Sequence, residues 1–282
     1  MLALLLALAL GLAMPVSAVP GPKPPTGAED ELSARFLAAI KTHRVAVPDD
    51  RLGRRLLAEY GALYVCKAAG VSFPEVMRFA DQPALTRFQT AAHPTAVKLG
   101  RTVIELQPPA AQALEEALSD AKREHLTISA RGGPSAARRS MSEATGFWKK
   151  RVENALAHWT KAGKLTPARA AAIRAMPLAE QIEAALEEED QGHFFALSLD
   201  KTVLRSTAPP GSSQHHAMLA LDVEEHESAK VRALLARHGW FQTVVSDLPH
   251  FTYLGAAESE LAGLGLGRVE AESRTWWLPA RR

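Results

Sequence analysis

The sequence predicts an α+β fold: a mostly antiparallel sheet with covering helices, an N-terminal helical layer and an inserted helical hairpin. Three observations predict it. Apolar residues recur at helical spacing before residue 98 and again between 140 and 190. Short runs at Met218 to Val223 and His250 to Leu254 alternate with the strand period. The composition is that of a globular chain, with 282 residues, 47% hydrophobic and 23% charged, enough for one large domain or two small ones.

Met1 to Ala13 is almost continuous Leu and Ala, followed by Pro15, Val16, Ser17 and Ala18. That length suits a signal-peptide core and is short for a membrane span. Residues 1–18 are therefore expected to be a signal peptide cut after Ala18, with export to the periplasm or the extracellular cell envelope. No Lys or Arg precedes the run, so retention as an anchor stays open; no transmembrane helix is expected in the mature chain. Residues 19–29, VPGPKPPTGAE, hold too few apolar side chains to pack and read as a flexible linker.

Residues 30–98 read as a helical N-terminal region. Leu32, Phe36, Leu37 and Ile40 share one helical stripe, and Leu52, Leu56, Leu57, Tyr60 and Tyr64 another that runs on to Ala69. Pro74 and Pro83 interrupt the segment after Ala69. Residues 99–282 form the second unit. Val103 to Leu106 is strand-like, Pro109 to His125 is helical, and Leu126 to Ser129 is an alternating run ending at Arg131-Gly132-Gly133. The insertion, about 140–190, reads as helices over Met141 to Trp159 and Pro167 to Glu189, joined by a turn at Lys161 to Lys164. Glu187 to Asp190 is expected to be a solvated helix end, because consecutive carboxylates on a helix diverge. His193 to Leu199 reads as a strand, Ser228 to His238 as a helix closed by Gly239, and Phe241 to Ser246 as a strand. Trp276 and Trp277 are expected on a last strand against the sheet.

The chemistry gathers at Gly211 to Val223, GSSQHHAMLALDV, and at Asp247 to His250, DLPH. Two imidazoles and a carboxylate make the ligand set of a catalytic zinc with an open position. His215 and Asp222 are seven residues apart, and an odd separation on one strand would put them on opposite faces. Both reach one ion only if His215 sits in the turn that Pro209 to Ser213 begin and Asp222 sits on the strand. Met218, Ala220 and Asp222 then share the site face, while Leu219, Leu221 and Val223 face the core. Phe251 and Tyr253 face away from His250.

Ser213-x-His215 with Ala220-x-Asp222, and a later Pro-His at His250, resembles the zinc D,D-peptidases, the D-alanyl-D-alanine carboxypeptidase and dipeptidase family of the vancomycin-resistance type. The pattern is S-x-H-x-x-G-x-A-x-D, then E-x-W-H. The resemblance covers roughly Leu99 to Gly255. It implies a D,D-peptidase-like fold, zinc held by His215, Asp222 and His250, and Asp247 as the general base. It also implies an arginine for the substrate carboxylate. Arg131 fills that place, with Arg139 and Arg205 as alternates, and Ser213 contacts substrate or braces the site. The implied substrate is a peptidoglycan stem peptide ending in D-Ala. Met218 replaces the motif's glycine and would narrow the site face; Asp247 replaces a glutamate and is one methylene shorter. These departures keep open a catalytically weak or inactive envelope-binding module of the same fold; a third reading is a different peptidase of that fold that cuts within the peptide.

A net charge of +2 without a basic stripe gives no support to nucleic-acid binding. Arg138-Arg139 and Lys149-Lys150-Arg151 read as solvated faces, and His216 as pointing to solvent or backing the ligands. The one cysteine, Cys66, lies in an apolar run and reads as a small buried hydrophobe; its count excludes an intramolecular disulfide and a cysteine-held zinc.

Overall fold

The computed structural model describes residues 31–282, so the expected signal peptide and linker lie outside the described residues. Three helices open the fold: α1 (Ala34–Lys41), α2 (Arg51–Tyr60) and α3 (Gln82–Ala91). The stripe expected to stay helical to Ala69 leaves the α-helix at Tyr60 and tightens into a 3-10 segment, Gly61–Val65. A hairpin of β1 (Thr95–Leu99) and β2 (Thr102–Leu106) leads into α4 (Pro108–Arg123). The insertion forms α5 (Met141–Lys161), α6 (Pro167–Ala175) and α7 (Leu178–Asp190). Then come β3 (Ala220–Asp222), α8 (Ala229–Arg237), β4 (Trp240–Phe241), β5 (His250–Tyr253), α9 (Glu258–Leu261), β6 (Leu266–Ala271) and β7 (Arg274–Pro279). Helix starts reflect local chemistry. Ser33, Asp50, Asp81, Ser140, Thr166 and Ser228 each accept a backbone N–H in the first turn.

The class is α+β, and every strand pair among the described residues is antiparallel. The expected single sheet is instead three small ones: the β1–β2 hairpin, β3–β5–β4, and the β6–β7 hairpin. The last hairpin adjoins β4 through the Trp277 N–H on the Gln242 carbonyl at 2.9 Å. Trp276 and Trp277 are both buried on β7. One core collects Phe36, Ile40, Leu57, Leu114, Leu219, Leu221, Val223, Leu234 and Phe251. The N-terminal helices therefore pack into the same core as the strands. Each such side chain contributes about 1.5–3 kcal/mol when fully buried. A second cluster lies inside the insertion, around Trp148, Val152, Leu156, Ile173 and Ile182, and meets the rest at Leu56, Tyr60 and Val244.

Five further expectations are corrected by the structure. The second insertion helix breaks at Met176-Pro177, where Met176 is extended (ψ 145), because proline disfavours a helical residue before it. Glu188 and Glu189 are buried, not solvated. Glu189 accepts the Phe195 and Val203 N–H groups at 3.0 and 2.6 Å and the Thr202 hydroxyl at 2.6 Å, while Glu188 accepts from Arg169 Nε at 2.8 Å. His193 to Leu199 is consequently not a strand: Phe195 donates to Glu189, and Leu197 donates to Ser206 Oγ at 3.2 Å. Leu126 to Ser129 meets β3 only by the isolated bridge Ala130↔Val223, and β4 stops at Phe241. No helix among the described residues is long and apolar enough to cross a membrane.

Candidate metal centre

Two strands and a turn build the site. Asp222 and His250 are directly opposed in the antiparallel β3–β5 pair, so their side chains rise from the same face. Phe251 and Tyr253 point into the core, as their alternation requires. His215 arrives from a 3-10 turn, Gln214–Ala217, whose N-cap is Ser213; the Ser213 hydroxyl accepts the His215 N–H at 3.3 Å. Before the turn, Gly211 (φ +95) runs so close to Phe79 that a Cβ would sit 2.4 Å from its carbonyl oxygen. After the turn, Met218 adopts the left-handed conformation (φ 54, ψ 34). It is fully buried and does not line the cleft, so the expected narrowing of the site face by its side chain does not occur. The chain reverses at Met218 before the strand begins. Buried Gln107 clamps this reversal, donating from Nε2 to the Ala217 carbonyl at 2.7 Å.

The three predicted ligands converge. His250 Nδ1 lies 3.1 Å from His215 Nε2, and Asp222 Oδ1 lies 3.3 Å from each nitrogen. Ligand atoms about 2.0–2.1 Å from a tetrahedral ion stand about 3.3 Å apart, so the triangle has the edges of a coordination face. Proton positions support this. Gln214 Nε2 donates to the Tyr60 carbonyl at 2.8 Å, which makes its Oε1 an acceptor. His250 Nε2 faces that oxygen at 2.7 Å and so carries the ring proton, leaving a lone pair on Nδ1. A second lone-pair atom, Asp222 Oδ1, faces it. One proton on His215 cannot separate all three atoms, whereas a cation satisfies them together. Ligation through Nε2 puts the His215 ring proton on Nδ1, which is buried and has no hydrogen-bond partner among the described residues.

The electrostatics suit metal ligation, which needs neutral imidazole and ionised carboxylate. Burial, helped by the charge of Arg139, lowers His215 to about 4 against the pull of Asp222. Burial pushes the Asp222 carboxyl up, and His215, His250 and Arg139 overcome it, holding it well below the usual carboxylate range. Arg139 Nη2 donates to Asp222 Oδ2 at 3.0 Å, so Oδ1 is left for the triangle. The group His215–Asp222–His250 can hold a metal ion.

The triangle lies in a cleft of about 300 Å³ whose walls include Asp247, Arg131, Arg139, Arg151, Phe147 and Ser206. Asp247 is half-buried there. Burial raises its carboxyl to about 6; His250 and the arginines oppose the rise, and Asp222 adds to it. Ser213 braces the turn at the cleft floor. Arg131 stands on the rim, half exposed, with Nη1 3.1 Å from His226 Nε2 and 3.8 Å from Glu224. Arg205 turns instead towards Glu59 at 3.8 Å. His216 is buried rather than solvent-facing: its Nδ1 is 3.0 Å from the Arg139 carbonyl, and its Nε2 accepts the Gly211 N–H at 3.2 Å. It thereby fixes the backbone of the arginine that holds Asp222. Arg139 and Arg151 are not the solvated residues expected, since both enter the cleft.

Gln214, Thr252 and Thr243 were not foreseen. Thr252 Oγ1 donates to Gln214 Oε1 at 2.6 Å and shares a 2.6 Å hydrogen bond with Thr243. Only the place of Gln214 inside the His motif could have drawn attention to it. Phe147, 5.0 Å from the Arg139 guanidinium, and Arg151 both come from α5, so the insertion forms part of the cleft wall. Comparison with protein families, curated proteins and solved structures finds no match.

Proposed function

We propose that this protein is an exported zinc metallopeptidase, a D-alanyl-D-alanine carboxypeptidase acting on peptidoglycan stem peptides. The convergence of His215 Nε2, Asp222 Oδ1 and His250 Nδ1 at 3.1–3.3 Å carries the reading. The resemblance to the zinc D,D-peptidases supports it at a further point. Met218 stands where that pattern has glycine, and its backbone has the positive φ that glycine takes most readily.

Zinc bound by these residues would supply a Lewis acid that polarises the scissile carbonyl and makes water a nucleophile near neutral pH. The chain's own groups do the rest. Gln214 holds His250 in the tautomer that presents Nδ1. Arg139 keeps Asp222 ionised and turned towards the imidazoles. Asp247, across the cleft, takes a proton from the attacking water and returns it to the leaving amine. A carboxyl raised to about 6 is ionised at pH 7 yet close enough to that pH to do both.

The test is release of D-Ala from a defined pentapeptide by purified protein, with zinc measured in the same sample. Activity is expected to disappear with chelator and return with zinc. The rate should fall in acid as the Asp247 carboxylate takes up a proton and ceases to act as a base. Asp247→Asn should keep zinc and lose roughly 10²–10⁴-fold in rate; unchanged hydrolysis by that variant removes Asp247 from the mechanism. The alternative, an envelope-binding module without turnover, rests on the shorter Asp247 side chain. Zinc-loaded protein that binds the peptide without cleaving it would select that reading.

A further inference from the structure

Glu189 is a buried acid that the proposed chemistry does not use. It stands near the end of α7 and is 1% exposed. Its Oε1 accepts N–H groups from both sides of the loop that follows, Phe195 at 3.0 Å and Val203 at 2.6 Å. Its Oε2 lies 2.6 Å from Thr202 Oγ1. One carboxyl therefore closes the neck of a loop, whose tip is exposed at Leu197. The neck leads directly to the cleft, because the Val203 carbonyl accepts the N–H groups of Ser206 and Thr207 at 2.9 and 2.8 Å. Both of these residues line the cleft wall.

No ion pair reaches Glu189 among the described residues, whereas its neighbour Glu188 takes Arg169 and His193. On α2, Arg55 favours charge at Glu189 but lies 3.7 Å from Asp190, and Tyr60 gives its hydroxyl proton to the Leu204 carbonyl. Arg205 of the loop faces Glu59. Burial penalises the ionised form and raises the Glu189 carboxyl to about 7, against the pull of its hydrogen bonds and of Arg55. The contacts also suit a neutral acid. Oε1 then serves as the carbonyl oxygen for the two N–H groups, and a proton on Oε2 donates to Thr202 Oγ1.

We propose that Glu189 is a pH-sensitive latch on the cleft wall: protonated it holds the neck of the loop closed, and ionised it lets the loop open. In an open loop the carboxylate meets water and titrates in the ordinary range. The closed loop binds the proton more tightly, so closure is strongest in acid. It weakens as pH rises above the ordinary carboxylate range, and that contribution is lost as pH passes about 7. His193, on the same loop and 3.0 Å from Glu188, also belongs to a side-chain class that changes charge near neutral pH.

Hydrogen exchange of the Phe195 and Val203 amides, corrected for the intrinsic pH dependence of exchange, reads the opening directly. Protection in wild type is expected to fall on the order of 10–100-fold between pH 5 and pH 8. Glu189→Gln copies the neutral acid, with an oxygen for the two N–H groups and an amide N–H for Thr202. It should keep the loop equally protected at both pH values. His193→Gln should retain the wild-type fall. A flat wild-type profile overturns the proposal, as does a fall that His193→Gln removes. Fast exchange at both pH values in folded Glu189→Gln also overturns it, since the ionised carboxylate would then be what closes the neck. If Glu189→Gln does not fold, the wild-type and His193→Gln profiles decide. Neither zinc nor peptide enters the measurement, so the peptidase reading stands or falls separately.

Discussion

The cleft has a floor and a wall built in different ways. Its floor is backbone-determined: Asp222 and His250 face each other across a strand pair, and His215 hangs from a turn clamped by Gln107 and Gln214. Its wall is made of side chains reaching in from elsewhere, with Phe147 and Arg151 from α5 and Ser206 from the loop after α7. The floor backs onto the main core and the insertion has a core of its own. The triangle and the rest of the cleft lining are therefore held by different parts of the chain, joined at Arg139, which donates to Asp222 and lies over the Phe147 ring.

The most direct way to break this contrast is to remove a ligand. His250→Ala is expected to abolish stoichiometric zinc binding, measured by metal analysis of the folded protein. It should also remove the stabilisation that zinc gives the wild type, about 2.7 kcal/mol at a hundredfold excess over Kd. Arg151→Gln, in the wall and hydrogen-bonded to Ser206 rather than to a ligand, is expected to leave both unchanged. If both variants lost zinc alike, the floor and wall would be one unit.

A smaller effect sharpens the comparison within the floor. Gln214→Leu keeps all three ligands but removes the acceptor that fixes the His250 proton on Nε2. Zinc affinity is expected to fall about 10–100-fold, as for loss of other groups that orient a metal ligand. Competition with a chelator measures it. An unchanged affinity would mean that the strand pair alone sets the ring.

How far the sequence revealed this site obeys the same division. The ligand set was readable from the two short motifs and the resemblance they carry, and the odd spacing of His215 and Asp222 then demanded a turn and a strand, which the structure has. The apolar face of Leu219, Leu221 and Val223 came from the same alternation. The wall was not readable. Lys149 and Lys150 are exposed as expected, but Arg151, next in sequence, faces the cleft. Which side of α5 meets water depends on where the helix docks, and that is a tertiary fact. Gln214 was equally hidden, because its partners Tyr60 and Thr252 are 154 and 38 residues away. His193 to Leu199 misled for a related reason. It reads as a strand, but the Phe195 and Leu197 N–H groups go to the Glu189 carboxylate and Ser206 Oγ, the Ala196 N–H goes to the Lys201 carbonyl, and no strand among the described residues lies alongside. The break at Pro177 was in the sequence and was missed.

The smallest expected effect tests the turn that joins His215 to Asp222. A left-handed backbone costs a residue with a Cβ about 1–2 kcal/mol, a cost glycine escapes. Met218 bears it at φ 54 while its side chain is fully buried. Met218→Ala and Met218→Gly both lose that buried side chain, so both are expected to be less stable than wild type. They should differ from each other by the backbone term and by the alanine methyl, whose burial contributes about 0.8 kcal/mol. At most positions alanine is the more stable of the two, because glycine loses more conformational freedom on folding. Here the left-handed backbone should cancel that lead and leave the two variants about level, read from urea midpoints at equal slope. The usual order, with alanine ahead, would mean that the turn does not hold a left-handed residue in solution. The path that carries His215 to the same ion as Asp222 would then need another explanation.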